Sequence, residues 1–243
     1  MFNMKEEYDQ IIAKHYDAYR PPLHALILEK YLSGEKQFTN ALDVGCGTGK
    51  SSLALVPYCK KIRGIDPSKD MLARTEKHKK ITYHHFDGIQ LVFPDKTFDL
   101  VTFAGSLDYA KSRRLLEDLL RMMQTNSMLL IYDFEVLLDE IYTKLKMNKP
   151  QSEISYNHRV DFVDLIEAQD DIELYLKEES QVSFSINPIQ LSHLILSSPD
   201  IYFQFPEEYK YEDIYQELST KNQNLDIGKL SANIFCTKYM LNT

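Results

Sequence analysis

The stretch ALDVGCGTGK, residues 41–50, decides the reading of this chain. An apolar run ends on the acid Asp43, and glycine then recurs at Gly45, Gly47 and Gly49. Glycine permits tight backbone geometry and close approach of another group. When such a loop opens a helix, the free amides and the positive helix end face the approaching ligand. A strand tip with almost no side chains therefore implies a ligand held by backbone.

The flanking sequence supplies the scaffold. ALDV, KKIRGID, ITYHHF, FDLVTFAG and SMLLIYDF read as five strands. Helical patterns lie between them over residues 50–58, over 68–78 with Ser68 as cap, and over RRLLEDLLRMM with leucines on one face. Strands and helices alternating at this spacing indicate a parallel α/β sheet. Residues 8–32 read as helix interrupted at RPP (20–22), because proline disfavours helix at the residue before it. Beyond Phe134 the rhythm changes to a helix through Leu137–Leu145, an exposed loop, a helix over 161–169, a strand at QVSFSI, two helices and a last strand ANIFCTKYML. The expected architecture is one domain: N-terminal helices over 1–34, a ligand-binding core over 38–135, and a C-terminal half over 136–243 with variable insertions near 137–160 and 187–228.

Composition narrows the function. With 243 residues, 44% hydrophobic and 26% charged, the chain can bury a sizeable core. A net charge of −8 argues against a broad grip on nucleic acid, which requires clustered Lys and Arg. Cys46, Cys59 and Cys236 show no CxxC spacing, so no metal site is expected and a reducing cytoplasm fits. No secretory signal or bilayer-spanning run is visible. The expectation is a cytoplasmic protein, monomer or homodimer, without membrane attachment.

Two ligand classes compete for the glycine loop. The dinucleotide fingerprint is G-x-G-x-x-G with an acid about 20 residues on. Here the third glycine falls one place early, and Lys50 fills the pattern's last glycine position. LDVGCGTG instead closely resembles the first motif of the class I S-adenosylmethionine-dependent methyltransferases, an apolar strand, an acid, one residue, then G-x-G-x-G. The resemblance spans residues 41–135. It implies a Rossmann-like, doubly wound seven-stranded α/β sheet with an antiparallel last strand, plus helical lid segments, and S-adenosyl-L-methionine as cofactor with S-adenosyl-L-homocysteine as product. By that match Asp43, Gly45, Cys46, Gly47 and Gly49 cradle the methionine and ribose portions, and Asp66, followed by Pro67, holds the ribose hydroxyls. Asp87 accepts from the adenine amino group, Gly88 and Ile89 lie along the ring, Met71 packs on it, and Ala104 ends strand four beside the site. Other readings stay open: Asp66 as a helix cap, Asp87 as a turn residue, Met71 as core.

The opening HYDAYRPP resembles that of the methyltransferase-type-11 and trans-aconitate-methyltransferase group, small-molecule enzymes in which this helix forms a lid. Tyr16, Tyr19 and Arg20 would then line the substrate pocket, with Arg20 able to pair with a carboxylate. Many relatives carry a histidine after the leucine at the end of strand four, where this chain has Asp108 and Tyr109. Those two become the catalytic candidates, and a base at Asp108 competes with a helix-cap role. The implied reaction is in-line methyl transfer to a small molecule. The alternative is a non-catalytic cofactor-binding partner subunit of the same fold.

Overall fold

The computed structural model describes residues 14–15, 18–86, 91–149, 156–166, 171–197, 204, 211–223 and 227–242. Seven strands form its sheet: β1 (Phe38–Val44), β2 (Cys59–Asp66), β3 (Ile81–His85), β4 (Phe98–Ala104), β5 (Met123–Val136), β6 (Ile172–Ser185) and β7 (Lys229–Leu241). Their order is β3-β2-β1-β4-β5-β7-β6, with β1 to β5 parallel and the last strands antiparallel. The anticipated sheet is therefore present. β1 lies between β2 and β4, so the chain reverses direction across the sheet at β1, and the crevice beyond the strand ends at such a reversal is where open α/β sheets bind ligands.

The local elements follow from pattern and capping. α1 (Leu23–Leu32) begins just after Pro22 and buries Leu23, Ile27, Leu28, Tyr31 and Leu32. α2 (Lys50–Ala54) starts directly on Gly49. It stops short of the expected residue 58, because Pro57 disfavours helix at Val56 and the backbone tightens into turns. α3 (Lys69–Leu72) is capped by Ser68, whose Oγ accepts from Met71 N at 3.2 Å. It too is shorter than its pattern suggests, since it buries no residue and has no apolar face to extend. α4 (Leu107–Ala110) follows β4, and α5 (Arg113–Met122) is capped by Ser112 and buries Leu115, Leu116, Leu119 and Met122. Those leucines join Leu42, Val44, Phe98, Val101, Phe103, Leu129 and Ile131 in the core on one face of the sheet.

The chain divides into two compact units. One comprises 23–135, 156–180 and 233–243, and carries the parallel strands and α1 to α5. The short helix α7 (Val163–Ile166) belongs to it. The other comprises 1–22, 136–155 and 181–232. It holds α6 (Asp139–Leu145), α8 (Pro188–Leu196) and α9 (Tyr211–Gln223). α8 opens with a capping box, Asn187 with Gln190, and Ser219 Oγ of α9 donates to Ser192 Oγ of α8 at 3.2 Å. In this unit His15 Nδ1 lies 2.7 Å from His193 Nδ1, and Tyr215 packs beside both rings. Among the described residues no helix is long and apolar enough to cross a membrane.

Candidate functional site

The site is built where β1, β2 and β4 end. Gly45, Gly47 and Gly49 all take positive φ, at 73°, 53° and 82°. Side chains rarely adopt that region, and here the space around each glycine differs. A Cβ on Gly45 would lie 2.4 Å from Ser106 Cβ, and one on Gly49 would lie 2.3 Å from Tyr83 Oη. Among the described residues, a Cβ on Gly47 would meet nothing within 4 Å. Gly45 and Gly49 are glycine for packing, whereas no described residue crowds Gly47.

Asp43 organises this loop from beneath. It is fully buried, and its Oδ2 accepts from Ser51 Oγ and Ser52 Oγ at 2.6 Å each, while Oδ1 accepts from Thr102 Oγ1 at 3.0 Å. Burial pushes its carboxyl above the usual range, opposed by the three hydroxyls. Asp43 thus ties the first turn of α2 to β4 and turns no open oxygen toward a ligand. The loop backbone is pinned to β2 by Gly45 N and Cys46 N, both donating to Ile65 O. Cys46 is buried, and burial with Asp43 and Asp66 nearby raises its thiol well above normal, so it is not a thiolate nucleophile.

Asp66 ends β2 at the rim. Its Oδ2 accepts from Gly47 N and its Oδ1 from Ser68 N, each at 2.8 Å. Each carboxylate oxygen keeps a second lone-pair site, so the pair can accept two further donors. Pro67 and Met71 beside it are exposed, Met71 by 41%. Ala104 is half-buried at the end of β4. Asp87, Gly88, Ile89 and Tyr16 lie outside the described residues. Tyr19 and Arg20 belong to the other compact unit. Among the described residues no cluster of His, Cys, Asp and Glu could hold a metal ion.

Asp108 and Tyr109 sit on α4, just beyond β4. Asp108 is half-buried and its Oδ2 accepts from Asn157 N at 3.3 Å, whereas Tyr109 is 79% exposed with its ring 5.5 Å from that of Tyr156. Next to them the fold assembles a group that the sequence reading did not find. Asp133, near the end of β5, receives His158 Nδ1 at 3.0 Å and Tyr156 Oη at 2.8 Å on the same oxygen, Oδ2. Its Oδ1 accepts from Phe134 N at 2.7 Å. Tyr156 Oη shares its one proton between Asp133 Oδ2 and Gly105 O, 2.7 Å away, one residue from the Ser106 that packs on Gly45. Burial, followed by the charge of Asp133, raises the Tyr156 hydroxyl above its ordinary range, so it is a donor rather than a base. The three residues are separated by 23 and 25 positions in the chain, and no local spacing announces them.

Residues 42–131, from β1 to β5, match the family described as Methyltransferase domain. This segment is a class I S-adenosylmethionine-dependent methyltransferase domain. Among curated relatives, a probable S-adenosylmethionine-dependent methyltransferase of Saccharomyces cerevisiae is 30% identical over 122 residues, covering 46% of this chain and 42% of that protein. The demethylmenaquinone methyltransferase of Bacillus licheniformis is 35% identical over 109 residues, covering 40% and 47%. The chain thus spans about half the length of the curated relatives it matches. A solved structure of a type II methyltransferase candidate from Anaeromyxobacter dehalogenans superposes with a TM-score of 0.60 at 13% identity, over 92% of this chain and 98% of that one. At that identity the likeness concerns the fold.

The methyltransferase domain's cofactor is S-adenosylmethionine. The open face at Gly47, with the Asp66 carboxylate fixed on its amide, fits the group: a bare backbone for the amino-acid portion and a double acceptor for a diol.

Proposed function

We propose that this chain transfers a methyl group from S-adenosylmethionine to a small-molecule acceptor by direct in-line displacement. The observation that carries the proposal is the pairing of an unobstructed Gly47 with an Asp66 carboxylate that it holds by 2.8 Å. In this reading Gly45 to Gly49 present backbone to the cofactor, Asp66 takes the two ribose hydroxyls, and Pro67, Met71 and Ala104 flank the nucleoside. Asp43 holds the loop in shape from below. When bound, the cofactor supplies a methyl group on a positively charged sulfur, already activated for displacement. The chain's task is therefore to align an electron-rich atom and exclude water, a contribution of roughly 7–11 kcal/mol from orientation alone. Asp108 and Tyr109, on α4 just beyond β4, are the proposed acceptor-side residues of this domain. The demethylmenaquinone specificity of one relative, together with the acidic charge of −8, supports a small molecule over nucleic acid.

Calorimetry with S-adenosylmethionine, S-adenosylhomocysteine and NADH tests the cofactor. Micromolar binding of the first two without the third is expected, and Asp66→Ala should weaken it by about 1–3 kcal/mol through loss of two acceptor positions. NADH binding, or affinity untouched by Asp66→Ala, would overturn the assignment. Failure to label any component of a mixed metabolite extract, despite cofactor binding, would favour a partner subunit without turnover.

A further inference from the structure

We propose that His158 is the general base of the transfer, held for that role by Asp133 and Tyr156, and that the acceptor is consequently a molecule whose reacting oxygen, nitrogen or sulfur carries a proton. The inference rests on the methyltransferase reading above and deepens it. The geometry supplies its elements. Against the Asp133 carboxylate, which already receives Tyr156 Oη, His158 Nδ1 must be the protonated nitrogen, leaving Nε2 bare as an acceptor of protons. The imidazole is oriented by packing as well: it meets the Tyr156 ring edge-on at 4.8 Å and stacks on Phe235 of β7 at 5.6 Å and 17°. The side chain remains 32% exposed, so a ligand can reach it, while Asp133 is largely enclosed at 13%. Through the Tyr156 hydroxyl on Gly105 O the group is tied to the β4 loop whose next residue, Ser106, packs against Gly45. Gly105 takes φ 70°, and a Cβ there would stand 3.1 Å from Asp133 Oδ1, so the loop and the acid are fitted to one another.

The surrounding charges leave Asp133 as the ionic partner of this imidazole. Arg159, the next residue, lies over the other ring contact of His158, Phe235, at 4.4 Å and pairs with Glu179 of β6 at 2.6 Å and 3.0 Å. Lys177 of β6 pairs with Asp161, and Glu178 with Lys30 and Tyr31. Cys236 of β7 is held neutral by burial, with its thiol raised to about 12. Asp108 reaches the same loop through Asn157 N. An imidazolium formed at His158 during transfer would therefore be stabilised by the Asp133 carboxylate it already touches. In the step, the acceptor's proton passes to Nε2 and the electron pair it leaves forms the bond to the methyl carbon. The carbon–sulfur bond breaks with its pair going to sulfur, so the cofactor's positive charge disappears as the imidazolium charge appears.

Titration of His158 by NMR in the full chain, with 15N-labelled histidine and assignment through His158→Gln, tests this without knowing the acceptor. Complexes with S-adenosylhomocysteine and S-adenosylmethionine differ by one methyl group and one positive charge. If His158 faces the transferring methyl, its titration midpoint should be lower in the S-adenosylmethionine complex by roughly half a unit or more, with His78, which precedes β3, serving as an internal control. The free protein should show Nδ1–H as the neutral tautomer, and Asp133→Asn should mix the tautomers. Equal midpoints in the two complexes, or Nδ1 as the bare nitrogen, would overturn the proposal. Absence of binding of either compound by calorimetry would instead remove the cofactor reading, and this inference with it.

Discussion

Replacing Gly47 with alanine separates cofactor binding from stability, because the three loop glycines differ in what surrounds them. All three sit at positive φ, where a Cβ costs about 1–2 kcal/mol. At Gly47 that strain is the whole folding cost, since the added methyl meets no described residue within 4 Å. At Gly49 the methyl must also displace the half-buried Tyr83 ring, whose Oη, Cζ and Cε1 would lie at 2.3, 2.8 and 3.0 Å, and overpacking of that kind adds about 1–3 kcal/mol. Gly47→Ala should therefore unfold in urea within about 2 kcal/mol of the parent, while Gly49→Ala loses about 2–5 kcal/mol. Affinity for S-adenosylhomocysteine should show the opposite weighting relative to stability: the Gly47 methyl occupies the proposed approach face and should weaken binding at least tenfold, or about 1.4 kcal/mol. Tyr83→Phe supplies an internal check. Among the described residues no hydrogen bond of good geometry reaches the buried Tyr83 hydroxyl, so the single change should cost little. In the Gly49→Ala background it should restore part of the loss, since Cζ still stands at 2.8 Å. Wild-type affinity in Gly47→Ala, or a stability loss there equal to that of Gly49→Ala, would refute the reasoning.

Asp43→Ala strands three buried hydroxyls and should cost about 3 kcal/mol or more in urea unfolding, whereas Asp43→Asn should cost under about 1 kcal/mol. Hydroxyls can rotate to accept from an amide, and the buried charge is removed; equal losses in the two variants would contradict that account. Stability should also fall on acidification through His15, which burial, followed by His193 and Lys14, holds down to about 4. The unfolded chain takes up the proton near 6.5 and the folded one does not, so this contribution is complete above pH 6.5 and is lost as pH falls toward 4, by up to about 3 kcal/mol. His15→Gln should flatten that slope, and an unchanged slope would show that the His15–His193 contact is not its source.

What the sequence determined by itself is local. An apolar strand, a following glycine run and a helix opening on Gly49 are written in adjacent residues, and the parallel β1–β5 rhythm follows from alternating patterns of the same range. Where a pattern had no surface to bury, it overran: the helix expected over 68–78 stops at Leu72 because no residue of α3 is buried. Where packing supplied what the pattern lacked, it fell short. β6 begins at Ile172, nine residues before the strand read at QVSFSI, because an edge strand with one paired side tolerates the charges of IELYLKEES. Asp43 shows the same division within one residue: the sequence marks it as the loop's acid, and only the fold shows its oxygens consumed by Ser51, Ser52 and Thr102. The Asp133–Tyr156–His158 group belongs wholly to tertiary structure. Hydrogen bonds between residues more than twenty positions apart depend on where β5 ends and where the returning chain crosses it, and no periodicity in the sequence encodes that distance.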